Sequence, residues 1–424
     1  MLEPSYRRQA VYYGLLFMML MVLVPRAGHQ GDVGYWANWA SYILEHGLGN
    51  TYADPSNNYN PFYHYILWLF GKLLGNAERI RSYINSLKGF TLLFDFAGAI
   101  WAASLVAQRN RRFELSLLLL FNIAYLYNTL IWEQVDAIYT FWVFGAVVFA
   151  VQRKPVLSVM LYVLALATKT QAIIFMPPLL LLWLPLWWQR PQWIWKSVGA
   201  AALTSLLLLA PFIWGGTKNY LPHILDINRD AVDYAPVVAV NAYNFWHLLF
   251  QNVDLRFVSD AQHFAGLTYK GWGLLLFFGF SAITLFPLLA SAVQSVLKWP
   301  RTQICLNPGP SIELVLLSCA LIPLLFAFFN TQMHERYWHP AILFLGAYGF
   351  LTRSYWLYIA VSVAYFLNLE SVLHFLKSKP YTITIMQPWF VATLFGLIIL
   401  LGLVKLYASV KWPWTALPEP SASS

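Results

Sequence analysis

The stretch "NPFYHYILWLFGKLLGN", residues 60–76, decides the fold. It is apolar enough to enter a bilayer, yet it falls short of the roughly 20 residues that cross one and carries Lys72. Counted as a span, it places "QRNRR" (Arg109, Arg111, Arg112) outside and splits the polar clusters between two faces. As an amphipathic, Trp- and Tyr-rich helix lying in the interface, it repairs both faults. The inside then receives Arg7/Arg8, Arg109–Arg112, Arg153/Lys154, Arg190/Lys196, Lys298/Arg301, Arg353 and Lys411. Every strong Lys/Arg group between spans falls on one side, as the positive-inside rule requires, and both termini are cytoplasmic.

The composition agrees with a membrane protein. Of 424 residues, 59% are hydrophobic and only 11% charged, against about 25% charged in soluble domains. Mean hydropathy is +0.56. The net charge of +9 comes in small groups between apolar runs, a pattern of orientation signals rather than a nucleic-acid surface. Cys305 and Cys319 are too few for a disulfide framework. The first apolar run lacks a small-residue cleavage site and is read as a retained span.

The expected architecture is all-α and polytopic, with about twelve spans (range 11–13) and interfacial helices at 33–46 and 60–76. The spans are roughly 10–26, 84–107, 113–130, 133–151, 155–169, 171–188, 194–214, 272–297, 311–330, 337–352, 354–373 and 388–408. They form one domain, 1–411, followed by a short disordered tail, 412–424.

The outer face collects the unusual polar residues. Asp32 follows the first span, in "GDVGYWANWASYILEHG", where Tyr35, Trp36, Trp39, Tyr42 and Ile43 make a helical stripe. Asp32 either caps that helix or takes a proton from a hydroxyl. The loop 27–83 also carries Arg81, and "WEQVDA" adds Glu133, Gln134 and Asp136. The two acids open a span three residues apart, a spacing that shares a helix face; they bind a cation or hold Lys169 or Arg336. "TKTQ" contributes Lys169 and Gln171, and "MHERYW" contributes His334, Glu335 and Arg336. For a lone Lys or Arg at a helix end, snorkelling is the ordinary reading. On the outer face, where such cations are few, an anion is the natural partner, with Arg offering a fork for phosphate oxygens. Glu335 is then a structural counter-ion and His334 either an interface residue or a ligand. His334 and His339 are five apart, about 140° around a helix, which excludes a shared metal there.

In order, Asp32, "YNPFYHYIL" (with Tyr63 and His64), "IWEQVDAIYT", "KTQAIIFMPP" and "HERYW" resemble the GT-C superfamily of integral-membrane glycosyltransferases. The likeness runs from about 31 to 340, most of the chain, through motifs that are individually weak. The branch most similar is the bacterial relatives of the mannosyltransferase that adds the second mannose of GPI anchors. Next come the dolichyl-phosphate-glucose glucosyltransferases, whose Lys-Gln-Met and His-Glu-Lys stretches parallel Lys169–Gln171 and His334–Arg336. "VNAYNFWHLL", with Asn241, resembles an Asn- and Trp-bearing segment of these proteins. The resemblance implies an outward-facing cavity and a polyprenyl- or dolichyl-phosphate-hexose donor, mannose ahead of glucose. It implies a glycolipid or glycan acceptor, Asp32 at the catalytic-base position, and Lys169, His334 and Arg336 at donor-phosphate positions. Arg stands at 336 where the family has Lys, and the second acid that some branches carry beside Asp32 is absent. No cofactor is expected, with a divalent metal as the alternative, and no nucleic acid. The expected setting is a bacterial plasma membrane rather than the endoplasmic reticulum. A transporter or lipid-linked-sugar flippase is the rival reading, since it too carries many spans and intramembrane charges.

Overall fold

The computed structural model describes residues 4–23, 28–231, 235–251, 253–297, 309–377 and 384–410. The chain starts with α1 (Pro4–Leu23) and continues through three helices, α2 (Gln30–His46), α3 (Pro61–Leu74) and α4 (Ala77–Ser82). Then come α5 (Lys88–Ser104), α6 (Arg112–Leu120), α7 (Ile123–Leu130), α8 (Asp136–Val151) and α9 (Pro155–Thr168). A tight turn, 170–175, leads into α10 (Met176–Gln189), followed by α11 (Gln192–Trp214), α12 (Leu221–Asp230) and α13 (Trp246–Leu249). A two-stranded antiparallel hairpin, β1 (His263–Phe264) and β2 (Leu267–Thr268), precedes α14 (Tyr269–Leu297). The bundle closes with α15 (Ile312–Phe329), α16 (His339–Thr352), α17 (Trp356–Leu373) and α18 (Pro388–Ala408).

The protein is therefore all-α, but among the described residues twelve full spans are not present by length and composition. Among the described residues, six helices are long and apolar enough to cross a membrane: 170–189 as one run, α11, α14, α15, α17 and α18. A seventh forms if α6 and α7, bent by 58° at their junction, count as one. Every other expected span coincides with a shorter or more polar helix. α8, α9 and α16 have 16, 14 and 14 residues, so they reach only about 21–24 Å at 1.5 Å per residue. In α8 and α16 the shortfall lies at the polar N-terminal end: Glu133 is left-handed (φ 63°) and α16 starts only at His339.

Shortness is tolerable where protein replaces lipid. From His339 to Phe350 every residue of α16 is buried, the signature of a helix that is apolar all round. It packs against α15, α17, α5 and α8. α11 is the opposite case, with Trp195, Val198, Leu203, Leu206 and Leu207 exposed along its length.

Helices are present at both segments expected to be interfacial, 33–46 and 60–76, as α2 and α3, but the aromatic stripe of α2 is packed inside the protein. Trp36, Trp39 and Ile43 are buried in a cluster with Tyr63, Leu67 and Phe70 of α3, while Tyr35 is exposed. α3 keeps an exposed apolar edge, Leu69 and Leu73. The tail 412–424, Cys305 and the basic groups at 298–301 and 411 lie outside the described residues.

Candidate functional site

The segment between α7 and α8 places the acidic residues. Trp36 Nε1 donates to the Glu133 carbonyl at 3.3 Å, and the Gln134 N–H donates to Asn128 O at 2.9 Å. With Glu133 in a left-handed conformation, the two acids leave in different directions, which corrects the expectation of a shared helix face. Glu133 meets Lys88 at 2.8 Å, both side chains being 3% exposed or less. Lys88 also donates to Leu130 O at 3.0 Å. Asp136 opens α8 and accepts from Lys169 Nζ at 2.5 Å and from Asn128 Nδ2 at 3.2 Å. Lys169, the C-cap of α9, is only 8% exposed. It does not snorkel; its ammonium lies between the rings of Tyr139 (5.8 Å) and Tyr337 (5.5 Å).

Asp32 is not the cap of α2. That position is His29, without a side-chain cap hydrogen bond. Gln134 Nε2 instead donates to Asp32 Oδ2 at 2.6 Å, and His29 Nδ1 lies 3.2 Å from the same oxygen. The carboxylate is 26% exposed, so it is held on one side and open on the other.

The His-Glu-Arg triplet lies on a turn between α15 and α16, not in a helix. A preceding clamp sets that turn. Asp260, 2% exposed, accepts from Thr331 Oγ1 at 2.9 Å and Gln332 Nε2 at 2.8 Å. Gln332 is left-handed (φ 64°). The N–H groups of Val240, Asn241 and Ala242 converge on Met333 O at 3.1–3.2 Å. Beyond the clamp, Glu335 is fully buried and accepts from Arg336 Nη1 at 3.1 Å. His334 Nδ1 stands 3.7 Å from Glu335 Oε2, beyond hydrogen-bond reach. Burial opposes ionisation of Glu335, but the neighbouring His334 and Arg336 hold its carboxyl down at about 2. Burial, reinforced by the Arg336 charge, pushes His334 below its ordinary value, so it is neutral at pH 7. Arg336 loses by burial but gains more from Glu335, and its guanidinium stays charged.

These elements surround a cavity of about 520 Å³, within the range of small-molecule sites. Tyr59, Lys169, Gln171, His334, Arg336 and Tyr337 are among its lining residues. Gln171 Nε2 donates to Tyr337 OH at 3.0 Å. Three nitrogens on lining residues are buried with no hydrogen-bond partner among the described residues: Arg336 Nε, His334 Nδ1 and His223 Nε2. An orphaned buried polar atom costs about 1–3 kcal/mol, and three around one cavity mark a place for ligand oxygens. Net charge does not provide the attraction, because Lys169 and Arg336 each already face a carboxylate. Directed donors do: Lys and Arg have more N–H groups than their acids occupy. A smaller apolar cavity of about 210 Å³ adjoins, lined by Ile173, Leu274 of α14 and Phe326 of α15, and sharing Gln171, His334 and Tyr337.

Asp32 does not line the large cavity, although Arg336 and Lys169 both feel its charge. Other sequence candidates lie outside it. Arg81 is exposed on α4. Tyr63 is a core residue under Trp36 at 4.9 Å, and His64 is fully buried among Tyr52, Trp39 and Phe212. Asn241 lines a separate cavity of about 340 Å³ with Tyr243, His247, Asp254 and Arg256. Its carbonyl accepts from Asn368 Nδ2, so it belongs to the clamp around Met333. Glu133 faces Lys88 and does not line the cavity. His223 and Asn60 were not legible as lining residues, because distant contacts bring them there: Asn60 with Leu166, Thr170 and Asn228, and His223 against the ring of Tyr52. Among the described residues, no group of three or more His, Cys, Asp or Glu is placed to hold a metal. Compared with known proteins, the chain matches no family model and no curated sequence.

Proposed function

We propose that the protein is an inverting hexosyltransferase of the GT-C type. It moves a hexose, mannose ahead of glucose, from a polyprenyl-phosphate donor to a lipid-linked or glycan acceptor on the outer face of a bacterial plasma membrane. On this reading about twelve helices cross or enter the bilayer, the shorter ones enclosed by their neighbours, and both termini are cytoplasmic. The observation that carries the proposal is the set of three partnerless buried nitrogens around the 520 Å³ cavity, with Lys169 and Arg336 in its lining. The apolar cavity beside it, between α14 and α15, suits the first isoprene units of a lipid phosphate.

The acceptor hydroxyl gives its proton to Asp32 and its oxygen forms a bond to the anomeric carbon from the face opposite the phosphate. The bond from that carbon to the phosphate oxygen breaks, and the lipid phosphate leaves with the electron pair as a dianion. Arg336, Lys169 and a neutral His334 donate to that developing charge, the kind of preorganised stabilisation that dominates many enzymes. Gln134 and His29 orient the Asp32 carboxylate.

A flippase is the second reading, favoured by Asp95, a carboxylate fully buried within α5, since ionisable groups inside apolar helices mark transport paths. Purified protein incubated with labelled polyprenyl-phosphate-mannose or -glucose and membrane-lipid acceptors separates the two. Transfer or hydrolysis of one donor supports the transferase; movement of intact donor across proteoliposomes without loss of sugar replaces it. Asp32→Asn should lower turnover by roughly 10²–10⁴-fold while polyprenyl-phosphate affinity stays within about twofold of the starting protein. Retained turnover removes Asp32 from the role of base.

A further inference from the structure

A second set of residues lining the same cavity has different chemistry. α12 presents His223, Asp226 and Asp230 to it, at positions i, i+3 and i+7 of one helix face. Asp226 and Asp230 are 49% and 69% exposed, at the open rim, and both face Arg229, at 2.9 and 3.2 Å. His223 lies deeper, with its Nε2 buried and partnerless. This wall is fixed in place. Tyr220 and Ile224 pack with Tyr52 and Phe212 in a small core of their own. Asn228 Nδ2 donates to Asn60 Oδ1 at 2.8 Å, and Thr170 Oγ1 donates to Asn228 Oδ1 at 2.7 Å. Thr170 follows Lys169 directly, so α12 is tied to the residue that carries the donor-side cation.

We propose that α12 is the acceptor-reading wall and that the acceptor is a neutral, hydroxyl-rich sugar. The inference rests on the transferase reading and deepens it by naming the acceptor class. Carboxylates and an imidazole can accept from or donate to vicinal hydroxyls in pairs, as Arg and Lys cannot, since they only donate. Two acids against one Arg229 leave a net negative rim, which disfavours a phosphorylated or carboxylated acceptor at the mouth. A cationic acceptor would have to displace Arg229, which already faces both acids. The cavity thus carries two chemistries: Lys169, His334 and Arg336 for the donor phosphate, and His223, Asp226 and Asp230 for the acceptor hydroxyls.

The test uses the full chain in detergent with the active polyprenyl-phosphate sugar. The alkyl glycoside acceptors are neutral, amine-bearing or phosphate-bearing. The neutral acceptor should be preferred in kcat/KM by about tenfold or more over either charged one. The Asp226→Asn/Asp230→Asn double variant, and separately His223→Ala, should each raise the KM for the neutral acceptor by about tenfold, the worth of a lost hydrogen bond or two. Affinity for polyprenyl phosphate alone, measured without acceptor, reports that each variant is folded and that the donor wall is intact. Preference for a phosphorylated or amine-bearing acceptor overturns the proposal. So does an unchanged acceptor KM in both variants. If no donor is turned over with any acceptor, the transferase reading itself fails and this inference falls with it.

Discussion

Two buried lysine–carboxylate pairs arise from acids three residues apart, and they differ in one respect. Lys88–Glu133 is sealed: both side chains are almost inaccessible, and neither lines the cavity. Lys169–Asp136 is equally close and almost as buried, but Lys169 opens on the cavity beside Arg336. The contrast teaches that burial and pairing do not separate a structural ion pair from a functional one; access of one partner to a polar cavity does. A buried pair is expensive to desolvate, and removing one partner strands the other. Both pairs therefore tie the starts of α5 and α8 and the end of α9 to their neighbours, and Lys169 opens on the cavity.

The largest expected effects come from stranding one charge. Lys88→Met and Lys169→Met should each cost about 3–5 kcal/mol of stability, seen as a lower unfolding midpoint in detergent. Only Lys169→Met should also weaken polyprenyl-phosphate binding in the protein that remains folded. Equal losses of affinity in the two variants would erase the distinction drawn above. A sharper version neutralises both partners, since replacing a whole buried pair by uncharged groups is often close to neutral. Lys88→Met/Glu133→Gln should recover most of the lost stability and bind the lipid phosphate normally. Lys169→Met/Asp136→Asn should recover stability but not binding.

The smallest effect is a dependence on pH away from both pairs. Burial holds His64 down at about 3 and His247 at about 4. Each folded-state value is below the ordinary 6.5, so the unfolded chain takes up protons first as pH falls. Stability is complete above about 6.5 and declines as pH drops from there toward 3–4. Glu335, held at about 2, adds a further loss below about 4.5. The unfolding midpoint should decline between about pH 7 and about pH 5, and His64→Gln should flatten that slope. A slope unaffected by the substitution would remove His64 as a source.

Much of the arrangement was legible from residues read in order. Of the residues read as sharing a face, Lys169, Gln171, His334 and Arg336 line one cavity, Asp136 joins them through Lys169, and Asp32 pairs with Gln134 outside that lining. The amphipathic reading of 60–76 matches α3, short and laid against α2. The number of full spans was not legible, because apolarity continues through Trp132 and Tyr337 while the backbone turns at Glu133 and Gln332. Left-handed residues other than glycine leave no mark in a hydropathy pattern. Nor was the second wall legible, since the acids of α12 resemble any solvated helix until Asn228 is seen bonded to Asn60.

What the sequence alone determined is the local pattern: long apolar runs, helical in the structure, separated by small groups of ionisable residues. These follow from transfer free energies that each segment meets by itself. The tertiary structure decided which cation meets which acid. Glu133 took Lys88, Asp136 took Lys169, Glu335 took Arg336, and His64 and Tyr63 went into the core. Those choices depend on angles between helices and on a clamp at Asp260 and Met333, which join segments far apart in the chain. Pairing of charges is set by geometry over a few ångströms, and no local pattern encodes it.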